Sequence, residues 1–244
     1  MNFLKISSFS LVLIILFGFA CNNSPKSGNL TLVNKFKINV PEPSGLTFDA
    51  SQNYLIMVSD NNSGIYKTDL EGNIVNFSEL SEIDLEAVTN INDSAYAIAS
   101  EKTNEIVIVD TNFNVINTLK TGILGKENSG FEGISYIPTE NVLLVANEKS
   151  PTDIYKISLS GEILSTHKIL FAEDISGLFY DYVRSQVWIL SEESATLFCC
   201  NMNFEIVITY DIPDEQIEGI TINGNDLYLV SDKNETLYHY KIAE

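Results

Sequence analysis

Three glutamates open repeated apolar phrases: Leu85-Glu86-Ala87-Val88, Phe131-Glu132-Gly133-Ile134 and Ile217-Glu218-Gly219-Ile220. Pro43-Ser44-Gly45-Leu46 and Ile175-Ser176-Gly177-Leu178 repeat the phrase with serine in the acidic place. A second set of acids closes another recurring phrase: Val58-Ser59-Asp60, Ala99-Ser100-Glu101, Ala146-Asn147-Glu148, Leu190-Ser191-Glu192 and Val230-Ser231-Asp232. Eight of these ten recurring positions are carboxylates. Oxygen donors alone, if gathered in one place, suit a hard cation; Ca²⁺ accepts six to eight of them in loose geometry, whereas Mg²⁺ demands a tight octahedron. The question is what fold would gather them.

The small residue of the first phrase falls at positions 45, 87, 133, 177 and 219, giving spacings of 42, 46, 44 and 42 residues. A period in the low forties matches a four-stranded propeller blade. Each unit continues in the same way. A second apolar run ends in the Ser-acid phrase, and a third follows with alternating pattern, such as Ile65-Tyr66-Lys67-Thr68. A tight polar turn containing glycine, such as Asp69-Leu70-Glu71-Gly72-Asn73, then leads to a fourth strand. The last unit has room for only three strands, roughly 218–222, 226–231 and 236–242. The segment 30–40, which otherwise has no place, is the natural donor of the missing outer strand and would close the ring. The expectation is an all-β, five-bladed propeller over residues 30–244 closed by its N-terminal strand; a sixth blade would need residues that the sequence does not have.

Strands within a blade alternate in direction, so the start of the first strand and the end of the second lie on one face of the disc. Both acidic phrases therefore map to one mouth of the central channel. Glu86, Glu132 and Glu218 are the expected metal ligands, with Ser44 and Ser176 as weaker oxygen donors. Asp60, Glu101, Glu148, Glu192 and Asp232 form a second ring around them. Two carboxylates about 6 Å apart repel by about 2–3 kcal/mol at an effective dielectric of about 20, so something must neutralise them. Lys102, Lys149 and Lys233 each follow an acid of the second ring, and local ion pairs are the alternative to a metal. The Ser-acid phrases could also serve only their own turns. The small residue needs no functional reason, because five innermost strands crowding an axis exclude larger side chains.

The charge balance narrows the partners. Fourteen basic residues stand against 33 acidic ones, a net charge of −19, and Arg184 is the only arginine. Nucleic acid is excluded as a partner, since phosphate neutralisation needs clustered Lys and Arg. Nothing in the sequence requires a dimer. Cys199 and Cys200 are neighbours on one strand, point to opposite faces, and read as ordinary strand residues.

The N-terminus reads as a targeting device. Lys5 supplies a positive start, and residues 9–20 are an apolar run too short to span a bilayer. The run ends at Cys21, after which the chain turns polar. This predicts a lipoprotein leader over residues 1–20, lipidation of Cys21, and a flexible tether over residues 21–29. Ordinary signal-peptide cleavage, leaving Cys21 free, is the alternative. The expected location is the bacterial cell envelope, lipid-anchored to a membrane.

The recurrence of Glu-[Gly/Ala]-[Ile/Leu/Val] with a following Ser-Asp or Ser-Glu, together with such a leader, resembles the SdiA-regulated family of bacterial envelope β-propellers, over roughly residues 30–242. Similar blade phrases occur in NHL-repeat, gluconolactonase-like and esterase-like phytase propellers. The resemblance implies an envelope propeller linked to calcium, with Glu86, Glu132 and Glu218 as the motif glutamates, and it implies no established reaction. Ser44 and Ser176 depart from the pattern and break any five-fold metal ring.

Three functions fit this reading. The first is a calcium-binding module whose open face takes a small ligand or an envelope protein. The second is a metal-dependent hydrolase of lactonase or phosphoesterase type, in which the ion polarises an oxygen and a glutamate acts as base. The third is a scaffold that uses the rim of the disc. His167 and His239 fall on outer strands, away from the mouth, and there is no GxSxG elbow. The loops at 121–130 and 149–153 lie on the acidic side and could shape a pocket there, or could simply be variable loops.

Overall fold

The computed structural model describes residues 25–80, 84–123, 129–213 and 216–243. The expected leader over residues 1–20 and the lipidation site Cys21 lie outside the described residues. Two strands, β1 (Lys26–Ser27) and β2 (Leu30–Lys37), precede the repeats. Blade one is β3 (Pro43–Phe48), β4 (Leu55–Ser59), β5 (Gly64–Thr68) and β6 (Ile74–Glu79). Blade two is β7 (Leu85–Ile91), β8 (Ala95–Ser100), β9 (Glu105–Asp110) and β10 (Val115–Lys120). Blade three is β11 (Phe131–Ile137), β12 (Val142–Asn147), β13 (Asp153–Ser158) and β14 (Ile163–Lys168). Blade four is β15 (Gly177–Asp181), β16 (Gln186–Ser191), β17 (Thr196–Cys200) and β18 (Ile206–Asp211). Blade five is β19 (Ile217–Asn223), β20 (Asp226–Ser231) and β21 (Thr236–Ile242), completed by β2.

The result is a five-bladed β-propeller. The first strands touch one another in ring order, β3 to β7 to β11 to β15 to β19 and back to β3. Burial follows radius: β3 and β12 are buried along their whole length, whereas every residue of β14 is exposed. The core divides into five apolar clusters, each filling the gap between two neighbouring blades. The cluster that joins the last blade to the first contains Tyr228, Val230 and Leu237 from one side and Leu46, Phe48 and Met57 from the other. β2 pairs antiparallel with β21 from Leu30↔Ile242 to Lys37↔Thr236, which covers the edge that the last blade would leave open.

The small position is explained by proximity. A Cβ on Gly45 would lie 2.7 Å from the carbonyl oxygen of Glu86 and 2.8 Å from the Cα of Ala87; one on Gly219 would lie 3.0 Å from the Cα of Gly45. Each inner strand leans its small residue on the next blade. The third-to-fourth turns use the expected positive φ at Gly72 and Gly161, but Phe113 (φ 67°) and Phe204 (φ 60°) take the same place in blades two and four. There Asp110 and Asn201 accept the N–H of residues 114 and 205 through their side chains at 2.9 and 3.0 Å, fixing the turn without glycine.

The tether differs from expectation at its far end. Lys26 and Ser27 pair in parallel with Ile208 and Thr209 of β18, and Gly28 donates its N–H to Thr209 O at 2.8 Å. The outer edge of blade four offers unpaired backbone groups that a polar segment can satisfy. Cys199 and Cys200 are free and buried, and they enter the core clusters on opposite sides of blade four. Gly45→Ala forces a methyl against backbone that cannot yield. It should lower stability by about 1–3 kcal/mol, read as an earlier urea midpoint with unchanged slope; no loss would refute close approach as the reason for the small position.

Candidate functional site: an acidic mouth on the propeller axis

Glu86, Glu132 and Glu218 face the channel because each is the extra residue of a β-bulge. The ladder steps from Leu85↔Ser100 to Ala87↔Ala99, from Phe131↔Asn147 to Gly133↔Ala146, and from Ile217↔Ser231 to Gly219↔Val230. One residue on the inner strand is skipped each time. A skipped residue leaves the normal alternation, so its side chain is re-aimed. Ser44 occupies the same bulge in blade one, between Pro43↔Ser59 and Gly45↔Val58. This is why a charged residue can sit in an otherwise buried strand.

The mouth is a cavity of about 340 Å³. All ten sequence-derived positions line it: Ser44, Glu86, Glu132, Ser176 and Glu218 from the first strands, and Asp60, Glu101, Glu148, Glu192 and Asp232 from the ends of the second. Below it the apolar side chains of Leu46, Val88, Ile134, Leu178 and Ile220 close the axis, leaving a gap of only about 10 Å³. The channel is therefore a cup and not a pore.

The two serines do different work from the glutamates. Ser44 Oγ donates to Leu85 O of the next blade at 3.0 Å and accepts the N–H of Asp60 at 3.0 Å; Ser176 Oγ donates to Ile217 O at 2.9 Å. They are occupied in joining blades. The residues before Asp60 and Glu148 tie down local loops: Ser59 Oγ donates to Pro41 O at 2.5 Å, and Asn147 Nδ2 donates to Lys149 O and Pro151 O at 3.0 and 2.8 Å.

Further acids surround the mouth that the repeated phrases did not include. Glu42, Asp84 and Asp174 stand two residues before Ser44, Glu86 and Ser176, at a repeat position that is Gly130 and Gln216 in the other blades. That register was visible in the sequence. Asp174 is structural: it accepts the N–H groups of Glu192 and Glu193 at 3.1 and 3.2 Å and a hydrogen bond from Ser191 Oγ. Asp84 shares a hydrogen bond with Asp60.

Two trios of carboxylates have oxygens mutually within 4.8 Å and could hold a metal ion: Asp60, Asp84 and Glu86, and Glu101, Glu132 and Glu148. Glu218 lies outside both trios. Of the three lysines that follow second-ring acids, Lys149 alone forms ion pairs among the described residues, with Glu148 and with Glu193 at 3.2 Å. One ammonium beside ten lining carboxylates leaves the mouth strongly negative.

The acids respond by holding protons. Burial, followed by the charges of Asp60 and Asp84, keeps Glu86 well above the usual carboxylate range. Burial and then Glu148 and Glu86 do the same to Glu132. Burial with Glu192 and Asp232 pushes Glu218 up to about 8. The shared hydrogen bond with Asp84, then burial, raises Asp60 to about 7. Glu101 and Asp232 are raised too, burial being the largest cause for each.

These shifts fix the sign of a pH effect. Folded carboxyls with raised pKa bind protons that the unfolded chain has already released above its ordinary range, near 4. Their contribution to stability is fully present below that range and is lost as pH rises through about 7 and 8. Chelator-treated protein should therefore be less stable in urea at pH 8 than at pH 5, and Glu86→Gln, Glu132→Gln and Glu218→Gln together should flatten the slope. Greater stability at pH 8 in chelator would refute this protonation pattern.

Known structures share the architecture. The fold is similar to glutaminyl cyclase from Myxococcus xanthus, with a TM-score of 0.74 at 11% identity over 91% of this chain and all of that one. It is also similar to virginiamycin B lyase from Staphylococcus aureus in a catalytically inactive form with quinupristin, with a TM-score of 0.54 at 17% identity over 82% of this chain and 66% of that one. At these identities the likeness is one of fold. The SdiA-regulated family model matches residues 31–241, nearly the whole propeller, and the chain belongs to the SdiA-regulated family.

Proposed function

We propose that the acidic mouth binds a divalent cation, with Ca²⁺ as the natural occupant, and that the propeller is an envelope-anchored binding or sensing module. The observation that carries this reading is the pair of carboxylate trios at one mouth, five of whose six residues line the cup. The donors are all oxygen, with no His or Cys lining the cavity among the described residues, which favours Ca²⁺ over zinc or copper. Donors from the ends of strands in several blades provide an irregular shell that suits Ca²⁺ better than octahedral Mg²⁺. The protons held by Glu86, Glu132 and Asp60 occupy the place a cation would take. An ion seated here would keep open positions toward solvent, where an oxygen-bearing ligand or a partner's side chain could complete its shell.

Titration of Ca²⁺ into chelator-treated full chain should show binding in the range of about 10⁻⁴ M, as for extracellular calcium modules. Protons should be released on binding. Glu86→Gln with Glu132→Gln should weaken it about 100-fold, whereas Glu218→Gln should cost less, because Glu218 stands outside both trios. A folded protein that takes up no Ca²⁺ would end the metal reading and leave a protonated acidic face.

A second reading, a metal-dependent hydrolase, is favoured by one observation. Glu218, held near 8 beside the trios, has the protonation range of a general acid or base at neutral pH. A bound cation would lower that value and would polarise a carbonyl or phosphoryl oxygen. Calcium-dependent turnover of a simple lactone or an aryl phosphate, abolished by Glu218→Gln, would select this reading; calcium binding without turnover selects the binding module.

The anchor belongs to the same proposal. Lipidated Cys21 would stand five residues before β1, holding the disc close to the bilayer. Cys21→Ser should move the protein from the detergent phase to the aqueous phase in a detergent partition, with an unchanged propeller. Retention in the detergent phase would refute the lipid anchor.

A further inference from the structure

The opposite face of the disc has a different chemistry. At the far ends of the inner strands lies a second cavity of about 270 Å³. It is separated from the acidic mouth by the apolar plug on the axis. We propose that this cavity is a binding site for a neutral sugar ring.

The repeat puts one position of each inner strand at its floor, three residues beyond the Ser or Glu of the first phrase: Thr47, Thr89, Ser135, Phe179 and Thr221. Four carry hydroxyls and one carries a phenyl ring. Two of the hydroxyls join blades. Thr89 Oγ1 accepts the N–H of Tyr136 at 3.2 Å, and Ser135 Oγ accepts the N–H of Tyr180 at 2.8 Å. Each still has its own proton to donate. Thr47 and Thr221 stand at the equivalent position, 8% and 1% exposed, and among the described residues neither hydroxyl has a hydrogen-bond partner. Both residues line the cavity, so a bound hydroxyl group at this floor can pair with hydroxyls that no protein group engages.

The walls limit the class of ligand. Asn90, Asn92 and Gln52 bring amides, and Phe48, Phe179 and Tyr182 bring aromatic surface. Tyr182 is 65% exposed at the rim, with its ring free to cover a ligand. Among the described side chains Asp49 is the one carboxylate of the lining, and its oxygens are already engaged by Ser51 Oγ at 2.9 and 3.0 Å, by the N–H groups of Asn53 and Tyr54 at 3.2 Å, and by Lys67 at 3.2 Å. Among the described residues no Lys or Arg lines the cavity. A charged ligand therefore has no counter-ion. A ring that offers hydroxyls at its edge and C–H surface on its face matches a hydroxyl floor with aromatic walls. The cavity volume suits one such ring.

The test uses the full chain in a detergent without a sugar headgroup. Glucose, galactose and N-acetylglucosamine are titrated by calorimetry and saturation-transfer NMR, with glucuronate and glucosamine as charged controls. At least one neutral sugar should bind, with Kd about 1 mM. Thr221→Val removes only an unpartnered hydroxyl, so it should keep stability while weakening the sugar about tenfold. Tyr182→Ala should weaken it by a similar factor. Glu132→Gln, in the other mouth, should leave it unchanged. The proposal is overturned if folded protein binds none of the three sugars, if binding ignores both variants, or if the charged controls bind equally well.

Discussion

Five innermost strands meet around one axis, and their backbones come so close that a single Cβ is too much at several points. Gly45 lies against Glu86 and Ala87, and Gly219 lies against Gly45. This contact sets the blade-to-blade distance and therefore the five-fold closure. It also explains why the ring needs β2: five tightly leaning sheets must end where they began, and pairing of Leu30–Lys37 with β21 locks that join. The inter-blade clusters then fill whatever space the inner contact leaves.

The same crowding makes the mouth chemically unusual. Inner strands this close cannot keep a regular ladder to their tips, and a bulge at residues 44, 86, 132 and 218 absorbs the mismatch. Each bulge turns one side chain onto the axis. Where that residue is serine, its hydroxyl joins neighbouring blades; where it is glutamate, the carboxyl has nowhere to go but the cup. Repulsion among carboxyls in a partly buried place is relieved by protons or by a cation, and one lysine is too little. The propeller thus carries a site whose state depends on what neutralises it.

Its two faces share strands but not chemistry. A strand that begins with a bulged acid ends with a hydroxyl, and the apolar residues between them seal one face from the other. The two faces are therefore chemically separate on one disc. The family match and the structural neighbours fix the architecture in which this happens, at identities that speak of fold and not of chemistry.

Much of this was written in the order of residues. The spacing of the small residue, the three-strand last unit and the spare N-terminal strand determine a five-bladed ring, because a repeat that cannot bury itself alone must close on itself. Strand alternation in direction also determines that the two acidic phrases share a mouth. Glu42, Asp84 and Asp174 are legible by the same register, although they stand outside the recurring apolar phrases. Tertiary structure alone decided the rest. It bent Lys26 and Ser27 onto blade four, since only the folded edge offers them partners. It brought six of the acids into two trios and left Glu218 outside both, and among the described residues it bonded Thr89 and Ser135 to the next blade but not Thr47 and Thr221. These outcomes depend on distances of an ångström between blades, and such distances follow from how whole sheets lean on one another, which no local pattern of residues encodes.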